Sequence, residues 1–170
     1  HLFGFKSELV SQLNSFQFVM EFTLGLIVVV LSAATAIVTS TPGAGKNLKW
    51  ITLTTFALWV FLSSILAGHY KFPLTFDIGY KQITSLCLKS LVVSAIIPGA
   101  LLLFIIRKAA PTQLGWSGAF AILGGAVLGS VVLDYSCITD NAFHVLFSHI
   151  LPVFLLMGAG VLIGRWALKW

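Results

Sequence analysis

Five long apolar runs decide most of what this chain can become. They cover residues 18–39, 50–67, 85–106, 115–133 and 147–164. A helix needs roughly 20 apolar residues to cross the hydrocarbon layer of a bilayer. Inside that layer each backbone N–H and C=O must find its partner within the protein, because lipid offers none. The runs therefore predict an all-α fold: a polytopic transmembrane helix bundle, one domain over residues 1–170 with five spans. Composition points the same way. Only 9% of the residues are charged and 58% are hydrophobic, with a mean hydropathy of +1.02. A soluble domain carries about 25% charged residues.

Details of the runs add expectations. Span one contains Glu21 as its single charge, near one end. Residues 40–49 read as a turn-rich basic loop and 68–84 as a longer polar loop. Trp50 stands at a span edge, where an amphipathic ring belongs. Span three carries Lys89 near its start and Pro98-Gly99 in its middle, which predicts a kink. Spans four and five contain Gly125-x-x-x-Gly129 and Gly160-x-x-x-Gly164, spacings that let helices approach closely.

Loop charges give an orientation. Lys46, Lys49, Arg107, Lys108, Arg165 and Lys169 fall in two short loops and a tail on one side, with no acid among them. The other side holds Lys6, Lys71, Lys81 and Lys89, spread out and mixed with all five acidic residues. Lys and Arg near span ends set topology, so the denser basic side is expected to be cytoplasmic, with the C-terminus inside. In a membrane chain the net charge of +5 reflects this topology rather than nucleic-acid binding. An outside N-terminus with no signal-peptide pattern, in a chain whose first residue is His, leads to the expectation of a six-span parent whose first span is missing here.

The chemistry gathers on the outer side. Cys87 sits at the start of span three and Cys137 just past span four, while His69, His144 and His149 lie in or beside the outer segments. Three readings stay open. The cysteines can be small buried hydrophobes beside interfacial histidines. They can form a Cys87–Cys137 disulfide, since the outer face of a bacterial inner membrane is oxidising. Or Cys87, Cys137, His144, His149 and His69 can hold copper or zinc. Against a metal, the chain has no C-x-x-C and no H-x-x-x-H. His144 and His149 are five apart and would point about 140° apart on a continuous α-helix. A metal would then need ligands from different helices. Lys89 is a candidate relay residue, with Asp134 or Glu21 as partner, because charge within a span is costly. It also lies close enough to the edge to snorkel. The chain contains no G-x-S-x-G, no H-E-x-x-H and no phosphate loop, so no enzyme is expected.

The order Cys87…Pro98…Arg107-x-x-Ala110-Pro111, a glycine-rich span, Tyr135-x-Cys137…Phe143 and finally Gly164-Arg165…Leu168-x-Trp170 resembles the NrsF-type membrane anti-sigma factors. The opening F-G-F-K-S-E-L-V-S-Q-L is similar to that family's loop between spans one and two. The match is best over residues 83–170. The chain departs from the pattern in having Leu146-Phe147-Ser148-His149 where the family often places a Trp. The resemblance implies a six-span bacterial inner-membrane protein. It implies that a cytoplasmic N-terminal segment, not expected in this chain, holds an extracytoplasmic-function sigma factor. A stress signal involving Cys87 and Cys137 would release that factor. On this reading Arg107, with Pro98, Lys89 and Asp134, would relay the signal between faces. The expected partners are membrane lipid, the sigma factor and a second copy of the chain, with no direct nucleic-acid contact. The alternative reading is a small accessory subunit of a larger membrane complex or transporter, docked through its glycine faces.

Overall fold

A computed structural model describes residues 16–41, 46–68, 78–137 and 142–169. The described residues contain helices and no strands. They form α1 (Phe16–Val38), α2 (Lys46–Gly68), α3 (Ile78–Lys108), α4 (Leu114–Ser136), the short α5 (Ala142–Val145), a π-helical turn (Leu146–Ile150) and α6 (Leu151–Ala167). Five stretches are long and apolar enough to cross a membrane: Phe18–Val38, Lys46–Ile65, Ser85–Lys108, Leu114–Leu133 and Phe143–Ala167.

Two loops read from sequence turn out partly helical. The basic segment at 40–49 is already helix from Lys46, and the polar segment at 68–84 is helix from Ile78. Neither extension contains a proline, Gly79 is the one poor helix former in them, and each continues the helix of the span that follows it. The helix α3 also runs through Pro98 without a break. It stops at Lys108, after which Ala110 takes a left-handed conformation (φ 55°) directly before Pro111. A non-glycine residue there costs about 1–2 kcal/mol, and the proline that follows, with no N–H and φ held near about −65°, cannot extend α3.

The bundle is organised around α4. Buried residues make up 83% of its span, against 22–33% of the other four. It packs on α1, α3 and α6, while α2 packs on α1 and reaches α5 and the π turn. Small residues make this central place available. A Cβ on Gly118 would meet the backbone of Gly160 and Gly164 in α6. A Cβ on Gly125 would lie 3.1 Å from the Gly99 nitrogen in α3, and one on Gly124 would lie 3.3 Å from Cβ of Ser32 in α1. Three sides of one helix thus each bring a glycine to a neighbour. Within a membrane, helices associate through such close packing and not through hydrophobic contrast with the solvent.

Larger side chains fill the remaining space. Val28, Trp59, Leu91, Phe120, Leu123, Val127 and Val153 form the buried core. Phe56 of α2 meets Phe154 of α6 with ring centroids 5.1 Å apart. The outward faces are apolar as well, with Val93, Ile97, Leu101, Phe104, Leu155 and Leu162 all exposed. An apolar exterior of this extent is what lipid would cover.

Towards the start of α4 the interior becomes polar. Thr35 and Thr52 share a 2.6 Å hydrogen bond between α1 and α2, and Thr39 and Ser117 share one of 3.0 Å between α1 and α4. Thr39 also donates to the Thr35 carbonyl (2.7 Å) and Thr52 to that of Leu48 (2.9 Å), so these hydroxyls satisfy backbone as well as each other.

Candidate functional site

At the opposite end of α4 the chain changes conformation at one residue. The Cys137 N–H closes the last helical turn on the Leu133 carbonyl (2.7 Å), while its own backbone is extended (φ −79°, ψ 122°). Its sulfur is buried and faces Cys87, which α3 presents from its inward side. The two sulfurs are 3.4 Å apart, within hydrogen-bonding distance, and are not joined as a disulfide.

The histidines arrive from the last helical run. His144 lies in α5, with Nε2 3.0 Å from the Cys137 sulfur. The π turn follows, in which the Leu151 N–H bonds to the Leu146 carbonyl five residues back. Pro152 supplies a local cause. It has no N–H to give the Ser148 carbonyl, and its ring crowds that carbonyl, so an ordinary α turn is disfavoured here. Single π turns inside α-helices are uncommon and often mark functional sites.

The π turn corrects the expectation drawn from α-helical geometry. A spacing of five would separate His144 and His149 by about 140° on a regular helix, yet their rings are 5.4 Å apart, edge to face. Both come from one helical run and both turn inward, His144 fully buried and His149 2% exposed.

The four residues form a compact donor set. One ligand atom from each of Cys87, Cys137, His144 and His149 lies within 4.8 Å of the others. Tetrahedral zinc, with bonds of about 2.3 Å to sulfur and 2.0 Å to nitrogen, needs donors roughly 3.3–3.8 Å apart. Small side-chain movements would close the set to that spacing. Thiolate and imidazole are the donors that suit zinc and Cu(I). Four protein ligands would leave no open position, the arrangement of a structural or binding site rather than a hydrolytic one.

Ser148 also belongs to the site. It is fully buried, and its hydroxyl is 3.4 Å from Nδ1 of His144, on the side of the ring away from Cys137. A metal-bound histidine commonly uses its second nitrogen in this way, which fixes ring orientation. The sequence signal was its place four residues after His144, one helical turn along the same face.

Other residues singled out in the sequence lie apart from the cluster. Lys89 is exposed although Cys87, two positions earlier, is buried. Pro98 is half-buried near Gly125, with its Cγ 3.3 Å from where a Cβ would stand. Arg107 is exposed at the far end of α3. His69 and the side chain of Asp134 lie outside the described residues.

Comparison with curated proteins and with solved structures returns no match. A family model does match, over residues 1–170, and its description is negative regulator of sigma F. The match spans both halves of the cysteine and histidine cluster and all the helices that carry it. The chain therefore belongs to the NrsF family, and membership implies negative regulation of a sigma factor.

Proposed function

We propose that this chain is the membrane-embedded, signal-receiving part of an anti-sigma factor of the bacterial inner membrane. It would hold an extracytoplasmic-function sigma factor at the cytoplasmic face through an N-terminal segment. It would release that factor when the Cys/His cluster on the periplasmic face changes state. The basic end of the bundle, with Lys46, Lys49, Arg107, Lys108, Arg165 and Lys169, would lie in the cytoplasm together with the C-terminus.

One observation carries this reading: four metal-ligating side chains from α3, the C-terminal cap of α4, α5 and the π turn converge in a buried set. The set bridges α3, the end of α4 and the start of the last helical run, which also pack on one another, so a change in it would bear on how α3, α4 and α6 sit together. When bound, a soft or borderline metal ion would supply a cross-link between these segments. Cys87, Cys137, His144 and His149 would hold it, and Ser148 would orient His144. Oxidation competes for the same atoms. Loss of two protons and two electrons to an oxidant would join Cys87 and Cys137 as a disulfide and remove both thiolate ligands. Either event could bias a two-state bundle, for which a few kcal/mol between states suffices.

The test is direct. In a bacterium carrying the complete protein and a reporter of its sigma factor, Zn(II), Cu(I) or a thiol oxidant should raise reporter output. Cys87→Ser and Cys137→Ser should each abolish that response. If both variants respond as the wild type does, the cluster is not the sensor.

A further inference from the structure

The end of the bundle away from the cluster contains a second feature. A cavity of about 340 Å³ opens where α4 begins, lined by Gln113, Leu114, Gly115, Trp116, Val161 and Arg165. Leu114, Trp116 and Val161 give the lining its apolar surface. Two cations border it. Arg165 lies across the first turn of α4, with its Nε 3.4 Å from where a Gly115 Cβ would stand. Lys49 of α2 stands beside the lining, donating to Oε1 of Gln113, with its Nζ 5.5 Å from the centre of the Trp116 ring. An ammonium has three donors, so Lys49 keeps capacity beyond the Gln113 bond.

Among the described residues of the α3–α4 turn and the α2 and α6 ends beside it, the charged side chains are all basic. The five acidic residues are Glu8, Glu21, Asp77, Asp134 and Asp140, none of them in the segments that form the cavity. Lys49 and Arg165 thus flank an apolar slot at the end of a membrane-length helix. The slot asks for an amphiphile with a negative head.

We propose that this cavity binds one anionic phospholipid from the leaflet it faces. The phosphate would be held between Arg165 and Lys49, and the upper part of an acyl chain would lie along Trp116 and Val161. A guanidinium is well suited to a phosphate because it offers paired N–H donors. A free phosphate would satisfy the cations but leave the apolar wall uncovered. A zwitterionic lipid would cover the wall but bring its own ammonium towards Lys49 and Arg165.

Native mass spectrometry of the full chain, released from mixed phosphatidylglycerol and phosphatidylcholine, tests this. One phosphatidylglycerol should remain bound per chain, in preference to phosphatidylcholine. Arg165→Gln should weaken that binding by roughly tenfold or more, the scale of a charge-assisted contact. Lys108→Gln, which removes an equal charge at the same end but outside the cavity, should change it less than about twofold. Should Arg165→Gln fail to fold, Trp116→Ala tests the apolar wall and should also weaken retention. Equal losses from Arg165→Gln and Lys108→Gln would mean a diffuse basic surface and overturn the proposal. Equal retention of phosphatidylcholine, or displacement of the lipid by millimolar inorganic phosphate, would overturn it too.

Discussion

The Cys137 sulfur and Nε2 of His144 are 3.0 Å apart, and this contact joins the end of the central helix to the start of the last helical run. Cys137 caps the C-terminus of α4, and His144 belongs to α5, directly before the π turn. We expect a change of bonding at this pair to bear on the packing of α4 against α6, which approach closely at Gly118 and Gly160 near the other end of α4.

Cys87 and Cys137 should behave as one unit. The double Cys→Ser variant should respond like either single one, because removing either sulfur already removes the shared chemistry. Reporter output under Zn(II), Cu(I) and oxidant checks this. His144→Ala and His149→Ala separate the two chemistries, since a metal response should be lost with them and a plain disulfide response retained. Additive effects of the two cysteine changes would show that they act separately.

Ser148→Ala should weaken metal binding without abolishing it, by roughly 10- to 100-fold, the usual size for a residue that orients a metal-bound histidine. Competition with a chromophoric chelator in detergent would measure the change. An unaltered affinity would reduce Ser148 to packing.

Gly118→Leu should destabilise the bundle by about 1–3 kcal/mol or more, as overpacking does. Its new side chain would run into the backbone of Gly160 and Gly164. Gly158→Ala is the matched control: nothing lies within 4 Å of a Cβ there, and alanine favours a helix over glycine by about 1 kcal/mol. Thermal unfolding in micelles should show a lower midpoint for the first and an unchanged or higher one for the second.

The orientation predicts labelling. A cysteine introduced at the exposed Thr112, with Cys87 and Cys137 changed to Ser, should resist impermeant thiol reagents in whole cells. It should react after the membrane is opened. Ready labelling from outside would place the basic end in the periplasm and reverse the side assigned to the cluster.

The all-helical architecture is legible because apolar runs of span length have few alternatives. The central place of α4 is harder to see. Its glycines at 118, 124 and 125 suggest close approach, but periodicity does not say that three different helices take up that approach at once. Of the cluster, the cysteines could be placed at one level from loop alternation alone. The pairing of His144 with His149 could not, because helical geometry with 3.6 residues per turn argues against it. Pro152, four residues after Ser148, was the available sign that the turn there is irregular. Lys49 and Gln113 are 64 positions apart, and nothing local links them.

The π turn also bears on how this site tolerates insertion and deletion. Such a turn holds one more residue than the α turn it replaces. Removing the exposed Leu146 would leave the two histidines four apart, the spacing at which an ordinary α-helix shows both side chains on one face. The donor set should then outlast a deletion that helical periodicity alone would judge fatal. A histidine pair four apart on an α-helix and a pair five apart across a π turn can each present two donors on one face.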